Sequence, residues 1–136
     1  MAIVLKPKVW LKSAELKAAV AKASIAPLDK AAMLVEADAK ASMKEGGGSS
    51  HAPSKAPAPP HVQTGNLRSS ITWAADGKTR VIGPTTVAWY GRIHEFGGVY
   101  GGKTFPARPF MRPALRRMRQ KFAALFRGLD IRIGGD

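Results

Sequence analysis

WYGRIHEFGG, residues 89–98, followed by KTFPARPFMRPALRRMRQKFAALFRGL, residues 103–129, is the stretch whose reading decides the fold. From Met111 onward, apolar residues recur at 111, 115, 118, 122, 125 and 129. These alternating steps of four and three leave one side of a helix greasy. Arg112, Arg116, Arg119 and Lys121 fall mostly off that line, and 103–132 holds nine Lys or Arg residues against one acid, Asp130. The pattern predicts a C-terminal helix docked on a small core, with its basic side left to solvent or to a partner.

Working outward, Tyr90, Ile93 and Phe96 share one face of a short helix, and Gly97 is placed to end it. Residues 97–103 read as a loose loop, and Pro109 suits the start of the long helix. Upstream, 70–75 has a strand pattern, with Ile71 and Trp73 on one face and Ser70 and Thr72 on the other. Asp76-Gly77 is a hairpin turn signal, 79–83 returns as a second strand closed by Pro84, and 86–89 is a candidate third strand. Thr64 is placed to cap a single helical turn. Two helices are predicted earlier, over roughly 13–24 and 29–44, the second ended by the glycines at 46–48. Ile3 to Leu5 is a short apolar patch cut off by Pro7. At the other end, LDIRIG (129–134) alternates like a final strand in a short tail starting at about 129.

These elements define an α+β fold: N-terminal helices and a long C-terminal helix packed on one side of a small, mainly antiparallel sheet. At 136 residues the chain, 1–136, is expected to be one domain with one modest core. Its interruption is GGGSSHAPSKAPAPPH, 46–61, whose prolines and glycines exclude a helix or sheet interior. A loop of this length suggests a mobile, partner-contacting arm carrying Gly46, His51, Lys55 and His61.

Composition narrows the function. With no cysteine there is no disulfide, thiolate metal site or cysteine nucleophile. No apolar run is long enough to span a membrane, and the mixed charge at the start is unlike a cleaved signal peptide. His94-Glu95 resembles the start of a zinc-protease motif, but position 98, where the second histidine belongs, is Gly98. Glu95 is the one carboxylate in the aromatic, glycine-framed region and has no partner for acid–base work. Ser69 and Ser70 lack a nucleophile elbow, and the glycines at 46–48 lack the Lys-Ser/Thr of a phosphate loop. No enzyme, metal or cofactor is expected. The net charge of +13 predicts attraction to polyanions, either nucleic acid or acidic proteins. Arg108, Arg112, Arg116, Arg117, Arg119, Lys121 and Arg127 are the candidate contacts to phosphate or to an acidic partner.

Three clusters, HVQTGNLRSSI (61–71), VIGPTTVAWYGRIHEFGG (81–98) and FPARPFMRPAL (105–115), together resemble the small tail-completion or head–tail joining (neck) proteins of lambda-like long-tailed bacteriophages. Thr64, Gly65, Leu67, Arg68, Ser69 and Ile71 carry the first part of the pattern. Gly83, Tyr90, Glu95, Phe96 and Gly97 carry the second, and Ala107, Arg108, Pro109, Phe110, Pro113, Ala114 and Leu115 the third. The resemblance implies a non-enzymatic virion protein, assembled in the host cytoplasm, at the head–tail junction or in the tail. It implies a homo-oligomeric neck, tail-completion or tail-terminator ring of six, or alternatively twelve, subunits around the DNA channel, joining head-closure and tail-tube proteins. On this reading Tyr90, Phe96, Arg108 and Phe110, with His94 beside them, hold the C-terminal helix and shape the subunit contact, and Arg108 pairs with Glu95 of the same or the next subunit. From charge alone, the alternative is a basic DNA-binding protein, sequence-independent or regulatory.

Overall fold

The computed structural model describes residues 2–6, 14–45, 52–129 and 131. The sheet has three antiparallel strands in the order β1-β3-β2, where β1 is Ile3–Leu5, β2 Ile71–Asp76 and β3 Thr79–Pro84. Asp76 stands opposite Thr79 across the predicted tight turn, and the register sets Trp73 against Ile82. The third strand is the N-terminal Ile3–Leu5, which pairs Ile3 with Ile82. Residues 86–89 are not a strand: Thr86–Ala88 forms one 3-10 turn. β3 is already flanked on both sides, so a strand there would have no central partner.

Helix α1 (Ala14–Ala23) runs into α2 (Ile25–Ser42) through Ser24, whose Oγ donates to Val20 O at 2.7 Å. Helix α2 begins four residues before the position read from sequence, with Pro27 in its first turn, where a missing N–H costs nothing. Its inward side is mostly small, Ala31, Ala32, Val35 and Ala39, so the helix lies close to its neighbours. The C-terminal helix, α5 (Met111–Leu125), crosses α2, and both sit on the same face of the sheet. The core is Ile3, Ile71 and Ile82 from the sheet, Ala32, Val35, Ala39 and Met43 around α2, and Phe110, Met111 and Ala114 from α5. Leu115, Met118 and Phe122 pack around its edge, so the apolar stripe read from sequence is the docked side of α5.

The inner face of β3 also carries Arg80, 4% exposed, bound through Nε to Asp29 Oδ1 at 2.5 Å and through Nη1 to Gly77 O and Thr79 O. A buried guanidinium is tolerated only with such a full set of acceptors. Among the described residues, every buried side-chain nitrogen and oxygen has a partner.

Two loops differ from the reading by sequence. The segment 97–103 forms a hairpin, β4 (Gly98–Tyr100) with β5 (Lys103–Phe105), turned by Gly101 and Gly102 at φ +58° and +75°. Two consecutive positive φ angles belong to the tight turn that matches strand twist, and Gly-Gly meets them without strain. The proline-rich segment 52–61 has no helix or strand, as read, but it lies against the body instead of extending as an arm. Ser54 is 2% exposed, Pro60 is buried, and His61 Nδ1 lies 3.1 Å from Ala52 O. Within it, Ala58 N donates to Lys55 O at 2.9 Å. Of the expected arm residues, Lys55 and His61 belong to this packed segment, whereas Gly46 and His51 lie outside the described residues. The expected final strand falls largely outside them too, and Leu129 and Ile131 are not in a strand.

Candidate functional site

The helix α3 (Asn66–Ser70), the helix α4 (Gly91–Phe96) and the 105–110 segment bring the three sequence clusters together. Helix α4 ends at Gly97, φ +71°, where a Cβ would lie 3.0 Å from both Ala107 N and Phe105 O. Only glycine fits that turn and that close approach. After the β4–β5 hairpin the chain returns, and Arg108 N donates to His94 O at 2.6 Å.

The return places the start of α5 over Glu95, which is 3% exposed. Glu95 Oε2 accepts from Phe110 N at 2.8 Å and Met111 N at 3.0 Å, and Oε1 from Arg112 N at 2.9 Å. A helix begins with four N–H groups lacking intrahelical acceptors. Here one carboxylate takes three, and the fourth position is Pro113, which has no N–H. The negative charge also lies at the positive end of the helix dipole. An Arg108–Glu95 ion pair within the chain does not form, because Glu95 is committed to these backbone donors. Arg108 Nε donates instead to Ser54 O at 2.8 Å. The helix begins at Met111, two residues after Pro109, with Phe110 wholly buried beneath its first turn.

Beside this clasp lies a groove of about 520 Å³ between the 52–65 segment, α3 and α4. Thr64, Gly65, Leu67, Arg68, Tyr90, His94 and Arg108, motif residues from all three clusters, line it, with Lys55 outside and His61 on its wall. Thr64 Oγ1 accepts from Asn66 N at 3.3 Å, and Arg68 reaches Glu45 at 3.0 Å. Half-buried His94 meets the Tyr90 ring edge-on at 6.1 Å. Burial first, and then the charge of Arg108, hold its pKa below the ordinary histidine value. Among the described residues, no three His, Cys, Asp or Glu side chains converge to hold a metal.

Groove-lining Tyr90 meets the exposed Trp89 ring edge-on at 5.8 Å. Trp89, 55% exposed, packs on Tyr100 at 4.8 Å between ring centroids, and Val99 projects from the same hairpin. Phe96, assigned from sequence to holding the C-terminal helix, points outward and lies under Arg112 at 4.2 Å. Of the basic set, Arg117 pairs with Asp38 at 2.7 Å. Arg116, Arg119, Lys121 and Arg127 are exposed, with no carboxylate within 4 Å among the described residues. Sequence reading missed Ser54, Arg92 and Trp89. The four-residue spacing of Arg92 and Phe96 on a helix is a readable signal. Nothing local marks Ser54 as the acceptor for Arg108.

A small α+β body with a motif-lined groove, an aromatic hairpin and a cationic helix has the surfaces of a protein that assembles with others. Residues 13–97, more than half the chain, match the family described as "Bacteriophage HK97-gp10, putative tail-component", and the chain belongs to that family. It is a structural virion protein of the tail-completion or neck type, and not an enzyme. No curated protein and no solved structure gives a significant match. The matched span covers the first two motif clusters as far as Gly97, while the Ala107–Phe110 cluster that completes the clasp lies beyond it.

Proposed function

We propose that the chain builds a closed homo-oligomeric ring at the head–tail junction, around the DNA channel, and joins head-closure and tail-tube proteins. One observation carries the ring: a single chain presents two unlike surfaces, a groove lined by the shared motif and an exposed apolar hairpin with Val99 70% and Tyr100 55% exposed. A ring closes through heterologous contacts, in which one surface of each subunit meets a different surface of the next. Aromatic side chains with nearby arginines are suited to that contact. Six subunits is the count carried over from the family resemblance, with twelve the alternative. DNA passing through such a ring would meet charge without base readout, so contact would be independent of sequence and sensitive to salt.

Mass photometry of the full chain at moderate ionic strength tests the ring, alongside a Tyr100→Asp variant that puts charge into the hairpin. The wild type should populate one closed oligomer, and the variant should stay monomeric with unchanged thermal unfolding. A wild type that stays monomeric, and that imaging of the virion does not find in any ring, would overturn the proposal.

A further inference from the structure

Two arginines converge on one exposed ring. Arg92 Cζ lies 5.9 Å and Arg112 Cζ 4.2 Å from the centroid of Phe96, which is 46% exposed. Gathering like charges costs Coulomb energy that solvent screens only in part. The adjacent acid gives neither guanidinium a direct partner, because the oxygens of Glu95 are buried and already accept three backbone N–H bonds. Arg116 follows four residues after Arg112 on the same flank of α5, also exposed. The result is a cationic patch with an apolar centre whose counter-charge the described chain does not supply.

We propose that the Arg92–Phe96–Arg112–Arg116 patch docks an acidic segment of a different protein, in which carboxylates flank an apolar side chain. Phe96 selects protein over nucleic acid. A duplex offers phosphates around stacked bases and nothing to cover an exposed ring. An acidic segment can lay an apolar side chain on the ring while its carboxylates take the guanidiniums two-pronged. Three arginines and no lysine suit that geometry. A second copy of this chain is a poor occupant. Of its nine acids, Asp29, Glu36, Asp38 and Glu45 are in ion pairs within the chain, and Glu95 is buried. Of the rest, only Glu15 and Asp76 fall among the described residues, against 22 Lys and Arg in the whole chain. Placing the partner in the virion rests on the proposed function, but the docking chemistry does not depend on a ring.

Three probes separate the possibilities by fluorescence anisotropy on the full chain: a peptide of repeated Glu-Glu-Leu, a polyglutamate peptide of equal charge, and a DNA duplex of arbitrary sequence. The leucine-containing peptide should bind about tenfold tighter than polyglutamate, the scale of one apolar anchor. Phe96→Ser should erase that advantage, leave duplex affinity unchanged and keep thermal unfolding intact. Arg112→Gln should weaken both peptides. Equal binding of the two peptides, or a silent Phe96→Ser, would overturn the assignment. A Phe96→Ser loss as large for DNA as for peptide would also overturn it, in favour of nucleic acid. Because Tyr100→Asp leaves this patch untouched, a failed ring with intact peptide binding separates the two proposals.

Discussion

Glu95 and Phe96 are adjacent on α4, yet the first is 3% exposed and the second 46%. The inward side of α4 clasps the start of α5, whereas its outward side holds an aromatic ring between two cations. Residues about 100° apart on a helix can serve opposite purposes, and a family pattern written along one strip of sequence mixes them. Glu95, Gly97 and Phe110 hold the fold together. Phe96, Arg92 and Arg112 present a surface, and Arg108 ties the wall of the groove to the clasp. A shared motif is therefore no guide, taken whole, to which of its residues meet a partner.

The comparison breaks most visibly at Phe110. Its side chain is fully buried, so Phe110→Ala should cost about 3–5 kcal/mol, enough to unfold much of a small domain. Denaturant unfolding measures this, and a loss under about 1 kcal/mol would mean the site collapses around the missing ring.

Glu95→Gln comes next. The amide keeps one acceptor oxygen but turns an NH2 toward the N–H groups of α5, and about 2–3 kcal/mol of stability should go with it. Hydrogen exchange should show the opening confined to the first turn of α5. Phe96→Ser, one residue away, should by contrast change stability by no more than about 0.5 kcal/mol.

The smallest effect belongs to the groove and depends on pH. His94 has a folded pKa below its ordinary value of about 6.5. The unfolded chain therefore takes up the proton first as pH falls. Stability present above the ordinary value is lost as pH drops toward the folded pKa. His94→Gln has no proton to bind and should flatten that part of the stability–pH curve. Thermal unfolding from neutral to mildly acidic pH checks it, and identical slopes for the two proteins would show that His94 is not the titrating group.

The sequence alone determined what depends on near neighbours. The apolar stripe from Met111 specifies a helix and its docked side, and the alternation at 70–75 with Asp76-Gly77 specifies the hairpin. Gly97 marks the end of α4 because a left-handed turn there excludes other residues. The first two clusters, read in order, fall within the span that matches the family. Periods of 3.6 and 2 and turn chemistry act over a few residues, so they can be read from a line of letters. Tertiary structure decided where each of these elements sends its unsatisfied groups. Glu95 finds donors 15 to 17 residues away, Arg108 finds an acceptor 54 residues away, and Ile3 pairs with Ile82. From the sequence, Arg108 looked like the natural partner for the Glu95 carboxylate. It lost to three backbone N–H groups because the closed end of a helix must have its donors satisfied, and only the folded chain shows which side chain stands beneath it.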